Sequence, residues 1–247
     1  MFYYEKPPLV FVHGLAEDHS IFNRQVAFLK EKGFVTYASD LAGHGNTPLP
    51  SGKLTIARHA SDLERILDTE GIEIANLIGF SLGGTISLEF AYKKPHRVGK
   101  MCLINPGLCI DKFMTWKIKL LAPFLKVLEY ASKLDKKQRL NEIDLSKSPF
   151  STVYYSFPYG LKKINLHSLD LNLHALLDYG VPEYLNEIKT ETLILRGKND
   201  ELLKRESVLH LQEQLANSDL IEIPGNHVVM LSNTAEVNKV LWEYFSC

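Results

Sequence analysis

Cysteine is scarce in this chain of 247 residues, with only Cys102, Cys109 and Cys247. An odd number with no close pairing pattern argues against a disulfide framework. None of the three sits at metal-ligand spacing with a histidine nearby, so no structural zinc is expected. Cys102 lies in an apolar run and reads as a small core residue. An excess of charge of one sign is missing too. Lys and Arg number 28 against 29 Asp and Glu, a formal net charge of -1. That balance lacks the basic surplus of a nucleic-acid binder or of a protein held on an anionic membrane. No stretch approaches 18 uninterrupted apolar residues, so no transmembrane helix is expected. The opening Met1-Phe2-Tyr3-Tyr4-Glu5-Lys6 is too short and too polar for a signal peptide. Together these features predict a cytoplasmic location without stable membrane association. Internal repeats and low-complexity segments are absent as well.

What remains is an ordinary globular composition, 45% hydrophobic and 23% charged. Short apolar runs alternate with amphipathic stretches, the pattern of βα units on a parallel sheet. Strands are predicted at Leu9–Val12, Phe34–Ser39, Ile74–Gly79, Val98–Ile104, Thr192–Arg196 and Leu220–Ile223. Helices are predicted at Asp18–Lys32 (closed by Gly33), Thr55–Glu70 (followed by Gly71), from about Ser81, at Leu203–Ala216 and at Thr234–Phe245. Between Gly107 and Ile188 no buried strand is legible, and a structureless loop of that length is implausible in a compact domain. We therefore divide the chain into an α/β core, 1–106 and 189–247, and a mostly helical insertion, 107–188.

Three sites carry chemistry. Gly79-Phe80-Ser81-Leu82-Gly83 has the form G-x-S-x-G, directly after an apolar strand and at the start of a helix. Such a turn demands neighbours with almost no side chain, which Gly79, Gly83 and Gly84 supply, and it lifts the serine hydroxyl above the sheet. A serine hydroxyl is a weak nucleophile and needs a base. Of nine histidines, His227 is the only one placed after the final strand. Gly197-Lys198-Asn199-Asp200 follows the preceding strand, so Asp200 is the candidate acid, with Glu201 and Asp178 as weaker alternatives. Acyl transfer also needs donors for the developing oxyanion. The backbone N–H groups of Leu15, in His13-Gly14-Leu15 after the first strand, and of Leu82, after the serine, are assigned that role. His13 is more simply a brace for its loop than a second base.

These pieces carry a resemblance. His13-Gly14-Leu15, Asp40-Leu41-Ala42-Gly43-His44-Gly45, Gly79-Phe80-Ser81-Leu82-Gly83-Gly84, Gly197-Lys198-Asn199-Asp200 and Gly225-Asn226-His227 occur in the order of the α/β-hydrolase superfamily and span the whole chain. The chain resembles its small capped carboxylesterase, thioesterase and lipase-like members. The resemblance implies catalytic Ser81, Asp200 and His227 and a helical cap after the fourth strand, with no metal or organic cofactor. Two departures stand out. The family's antiparallel opening pair has little room before Leu9, so about six parallel strands are expected, with Phe2-Tyr3-Tyr4 as a possible short edge. The Asp40–Gly45 segment is followed by Thr47 where the family usually has serine, and it reads as a structural turn. Ser81 stands where dehalogenases and epoxide hydrolases of this fold carry aspartate, which argues against those activities.

The insertion offers the substrate clues. Met114, Ile118, Leu121, Leu125 and Leu128 form an apolar helical face. Eight basic residues against three acidic ones lie between Asp111 and Arg139. A solvated face explains them most simply, and an anionic substrate such as coenzyme A is the sharper alternative. The expected substrate contacts are His13, Gly14, Met114, Trp116 and Phe157. The expected function is hydrolysis of short- to medium-chain carboxylic esters through an acyl-enzyme. Acyl-CoA thioesterase, monoacylglycerol lipase, aminopeptidase and carbon–carbon hydrolase stand as alternatives, and a non-catalytic binding protein of the same fold as a remote one.

Overall fold

Apolar runs in the sequence become the buried inner strands of a sheet. The structure, a computed structural model, describes residues 6–109 and 166–247. Its strands are β1 Leu9–Val12, β2 Thr36–Ser39, β3 Ala75–Phe80, β4 Val98–Ile104, β5 Glu191–Gly197 and β6 Ser218–Ile223. They form one wholly parallel sheet in the order β2-β1-β3-β4-β5-β6. The chain leaves β1 toward one edge, then returns to place β3 on β1's other side. The switch point of the sheet therefore lies between the C-terminal ends of β1 and β3, where open α/β sheets hold their ligands. Register brings those ends level, with Val12 opposite Gly79.

Side chains alternate between two cores, as the strand period of two requires. Val10, Val12, Leu77, Met101, Leu103 and Ile194 face one; Leu9, Phe11, Ile78, Cys102, Leu193 and Leu195 face the other. The first core is closed by α2 Ile56–Thr69, α3 Leu82–Lys93, α4 Leu166–Tyr179 and α5 Arg205–Gln214, the second by α1 Asn23–Glu31, α6 Val229–Ser232 and α7 Thr234–Ser246. Each fully buried Leu or Ile in these layers contributes roughly 1.5–3 kcal/mol.

Helix ends follow local chemistry. The Thr55 hydroxyl accepts the Arg58 N–H at 3.1 Å and starts α2. Gly71, at φ +67°, ends it, with the Ile72 N–H returning to the Leu67 carbonyl at 2.8 Å. Gly33 closes α1 in the same way, the Phe34 N–H donating to Leu29 O at 3.0 Å. That closure occupies Phe34, and β2 begins at Thr36 rather than at the expected Phe34. The expected helix from Asp18 is divided. The Asp18 carboxylate accepts the Ser20 N–H and caps a 3-10 turn, His19–Phe22, and α1 starts only at Asn23. The turn drives Ile21 and Phe22 into the core.

Residues 110–165 lie outside the described part, with Met114, Trp116, Phe157 and the basic run 111–139. So does the expected edge at Phe2-Tyr3-Tyr4. Two helical segments are described directly before β5. There α4 and a 3-10 segment, Glu183–Glu187, are tied to α3 through Glu89, which accepts the Tyr179 hydroxyl at 2.9 Å, bonds Tyr184 and pairs with Lys93 at 2.7 Å. Among the described residues no helix is long and apolar enough to cross a membrane.

Candidate active site

The β3-to-α3 turn has no room to spare. A Cβ on Gly83 would come within 1.9 Å of the Val12 carbonyl oxygen, and one on Gly79 within 2.6 Å of Gly83 O. Glycine at both positions lets α3 begin immediately after β3, against the end of β1. The residue between strand and helix absorbs the change of direction. Ser81 takes φ 49° and ψ -115°, a conformation that costs on the order of 1–3 kcal/mol and persists only when its surroundings fix it. They do so with four bonds. The Ser81 N–H donates to Ile104 O, and Ser81 O accepts the N–H groups of Gly84, Thr85 and Gly107.

Above this turn three side chains meet. His227 Nε2 lies 3.2 Å from Ser81 Oγ, and His227 Nδ1 lies 2.8 Å from Asp200 Oδ2. All three residues are buried. Burial would raise the Asp200 carboxyl, but the facing His227 and the Leu203 and Leu202 N–H groups hold it below its ordinary value. An ionised carboxylate only accepts, so the proton of a neutral His227 sits on Nδ1 and leaves Nε2 free to accept the Ser81 proton. The alternative acids are placed elsewhere. Glu201 is exposed, and Asp178 pairs with Lys53 at the surface at 3.3 Å.

The His13-Gly14-Leu15 loop reaches the serine because Gly14 allows it. A Cβ there would meet the Phe80 ring at 2.8 Å and Ser81 Cβ at 3.3 Å. Leu15 follows directly in the chain. Leu82 is the first residue of α3, where backbone N–H groups have no partner within the helix. The loop is braced from below by two buried histidines. His13 donates from Nδ1 to Gly14 O at 2.8 Å and accepts the Leu41 N–H on Nε2 at 2.9 Å. His44 accepts the Ala16 N–H at 3.3 Å and donates to Ala42 O at 3.2 Å. Burial pushes His13 down to about 4 and His44 to about 3, so both are neutral. With both nitrogens engaged and no exposed surface, the His13 ring has nothing to offer a substrate directly. It braces the loop, the simpler of the two readings of the sequence. Asp40 secures the other end, accepting from His19 at 2.7 Å and from the Asn46 N–H at 3.1 Å.

Among the described residues Asp18, His19 and Asp40 lie close enough together to hold a metal ion. Their oxygens are already engaged, Asp18 by Ser20 and Asp40 by His19, and they cap and close turns. A cavity of about 710 Å³ opens between the Asp40–Ala42 segment and α2. Its lining includes none of Ser81, Asp200 and His227.

A family model described as the alpha/beta hydrolase fold matches residues 7–234. The chain belongs to the alpha/beta hydrolase family. An uncharacterized protein of Mycobacterium tuberculosis is 31% identical over 101 residues, 41% of this chain and 29% of the relative. The matched region thus spans under a third of that relative's length. The AB hydrolase superfamily protein YisY of Bacillus subtilis is 25% identical over 256 residues, covering 96% of this chain and 91% of the relative. Among solved structures, an esterase (EaEST) from Exiguobacterium antarcticum superposes with a TM-score of 0.82 at 21% identity, over 98% of this chain and 92% of the other.

Two residues of this alpha/beta hydrolase site were not signalled by any motif. Phe80, the variable residue before the serine, packs its ring 5.1 Å from that of His227. Asn105, just past β4, sits in the left-handed region at φ 42° with no exposed surface. Its Oδ1 accepts the Gly197 N–H at 2.9 Å, and its Nδ2 donates to His227 O at 2.6 Å and Asn226 O at 3.2 Å. An Asn after a strand reads as a turn residue, so spacing alone gave no pointer to it.

Proposed function

We propose that the protein hydrolyses carboxylic esters of short to medium acyl chain, with Ser81 as nucleophile. One observation carries this: a strained serine at the sheet's switch point, in line with His227 and Asp200 at 3.2 and 2.8 Å. Likeness to an esterase of the same fold adds support. Ser81 Oγ adds to the ester carbonyl carbon while its proton passes to His227 Nε2. The carbonyl becomes an oxyanion held by the N–H groups of Leu15 and Leu82. Asp200 stabilises the imidazolium. The intermediate collapses, the C–O bond to the alcohol breaks, and the alcohol leaves with the proton from His227. Water then attacks the acyl-enzyme, giving its proton to His227. The acid departs and Ser81 recovers its hydrogen. No metal or organic cofactor enters this sequence.

Initial rates on p-nitrophenyl acetate, butyrate and hexanoate, beside butyryl-CoA, test the substrate class. Butyrate and hexanoate are expected to exceed acetate, and the oxygen esters to exceed the thioester. Acetate as the best ester contradicts the chain-length reading. A dominant rate on butyryl-CoA replaces the ester reading with a thioesterase.

A further inference from the structure

The acid and the base of the site come from separate loops, one after β5 and one after β6. No peptide segment shorter than β6 and α5 together joins them, so their spacing must be set across the sheet. Backbone bonds do part of this. Lys198 N–H donates to Ile223 O at 2.9 Å and Asn199 N–H to Gly225 O at 2.8 Å. Gly197 adds a close approach, since a Cβ there would lie 2.4 Å from Asn226 O. The backbone hydrogen bonds end at residue 225, two short of the histidine.

The remaining link is a side chain. We infer that Asn105 is a positioning residue that fixes His227 against Asp200. The inference rests on the hydrolase reading of the same site. One planar amide touches both loops at once. Its acceptor oxygen takes the Gly197 N–H, three residues before the acid, and its two donor hydrogens go to the carbonyls of Asn226 and His227. Asn105 is itself anchored to β5, its N–H donating to Leu195 O at 2.9 Å. The amide's donors and acceptor are therefore committed to the machinery loops, and the strained backbone at φ 42° aims it there.

Few substitutes satisfy that pattern. Aspartate has the right size and keeps the acceptor, but its second oxygen would face two carbonyl oxygens. Alanine removes all three bonds and leaves buried groups unpaired. Displacement of a catalytic pair by about 1 Å lowers turnover by about 100-fold.

Asn105→Asp and Asn105→Ala are compared with wild type on p-nitrophenyl butyrate. Competent sites are counted by titration with an organophosphonate carried to its end point, and the downfield imidazole proton of His227 is followed by NMR. The expected result is kcat per titrated site reduced about 10- to 100-fold with KM within about twofold, and a downfield proton that is lost or rapidly exchanging. A purely structural Asn105 would lower the number of titrated sites and leave kcat per site unchanged; that outcome, with the downfield proton intact, overturns the inference. Should the protein fail to turn over any ester, the hydrolase reading fails separately. The His227 proton still decides whether Asn105 holds the two loops in register.

Discussion

Gly83 and the carbonyl oxygen of Val12 are so close that a single added carbon would sit 1.9 Å from the oxygen. The start of α3 and the end of β1 are thus locked together at the switch point of the sheet. This contact sets the first turn of α3, which begins at Leu82, against the end of β1, from which the His13-Gly14-Leu15 loop departs.

It follows that Gly83→Ala cannot be accommodated by a side-chain shift, since backbone meets the new carbon. We expect a loss of more than about 3 kcal/mol in urea unfolding, or failure to fold. Gly52→Ala is the comparison. Its surroundings are open, with nothing within 4 Å, although its φ of +90° keeps the change mildly unfavourable. Equal stability of the two variants would contradict the close approach.

Asp200→Asn keeps shape and burial but reverses the tautomer His227 prefers, because an amide N–H in place of the acceptor oxygen can no longer take the Nδ1 proton. The expected loss in kcat at pH 8 is on the order of 10⁴-fold, with KM little changed. Glu201→Gln, at the exposed neighbour, is expected to stay within about twofold. A similar loss in both would mean that the acid has been assigned to the wrong carboxylate.

The buried histidines make stability depend on pH. His13 is pushed down to about 4, His44 to about 3, and His59 is lowered as well, all by burial. Unfolded, each titrates near 6.5. Below that value the unfolded chain binds protons that the folded chain refuses. Stability is therefore whole above pH 6.5 and falls between pH 6.5 and about 3. The slope is about 1.4 kcal/mol per pH unit for each histidine once it is fully charged in the unfolded chain. Urea unfolding at pH 7.5, 6 and 5 reads this directly. His59→Gln retains a donor for Asn172, to which His59 Nε2 now donates at 2.8 Å, and should lessen the slope by about one proton. Stability constant from pH 7.5 to 5 would contradict the buried neutral assignment.

The central strands were legible because buried parallel strands read as apolar runs; Leu9–Val12 is unbroken, and Val98–Ile104, interrupted by Gly99 and Lys100, is still met at its predicted bounds. The serine turn was legible because its sterics leave glycine no alternative. Local hydrogen bonding was harder to read. Asp18 lies where a helix pattern begins, yet its carboxylate caps a 3-10 turn, and only the burial of Ile21 and Phe22 explains why. Contacts distant in sequence left no trace at all. Asn105 meets residues 92, 121 and 122 positions away, and His59 meets Asn172 across 113. Neither pair shares a period or a motif, and each forms only because the sheet order brings its elements together.

The most direct measurement is the rate of p-nitrophenyl butyrate hydrolysis by wild type and by Ser81→Ala, with both proteins shown to be folded by near-UV circular dichroism. The account predicts turnover by wild type and a loss on the order of 10⁶ in kcat on removal of the hydroxyl. Undiminished activity in the alanine variant, or no activity in the folded wild type, would contradict Ser81 as the nucleophile of an esterase.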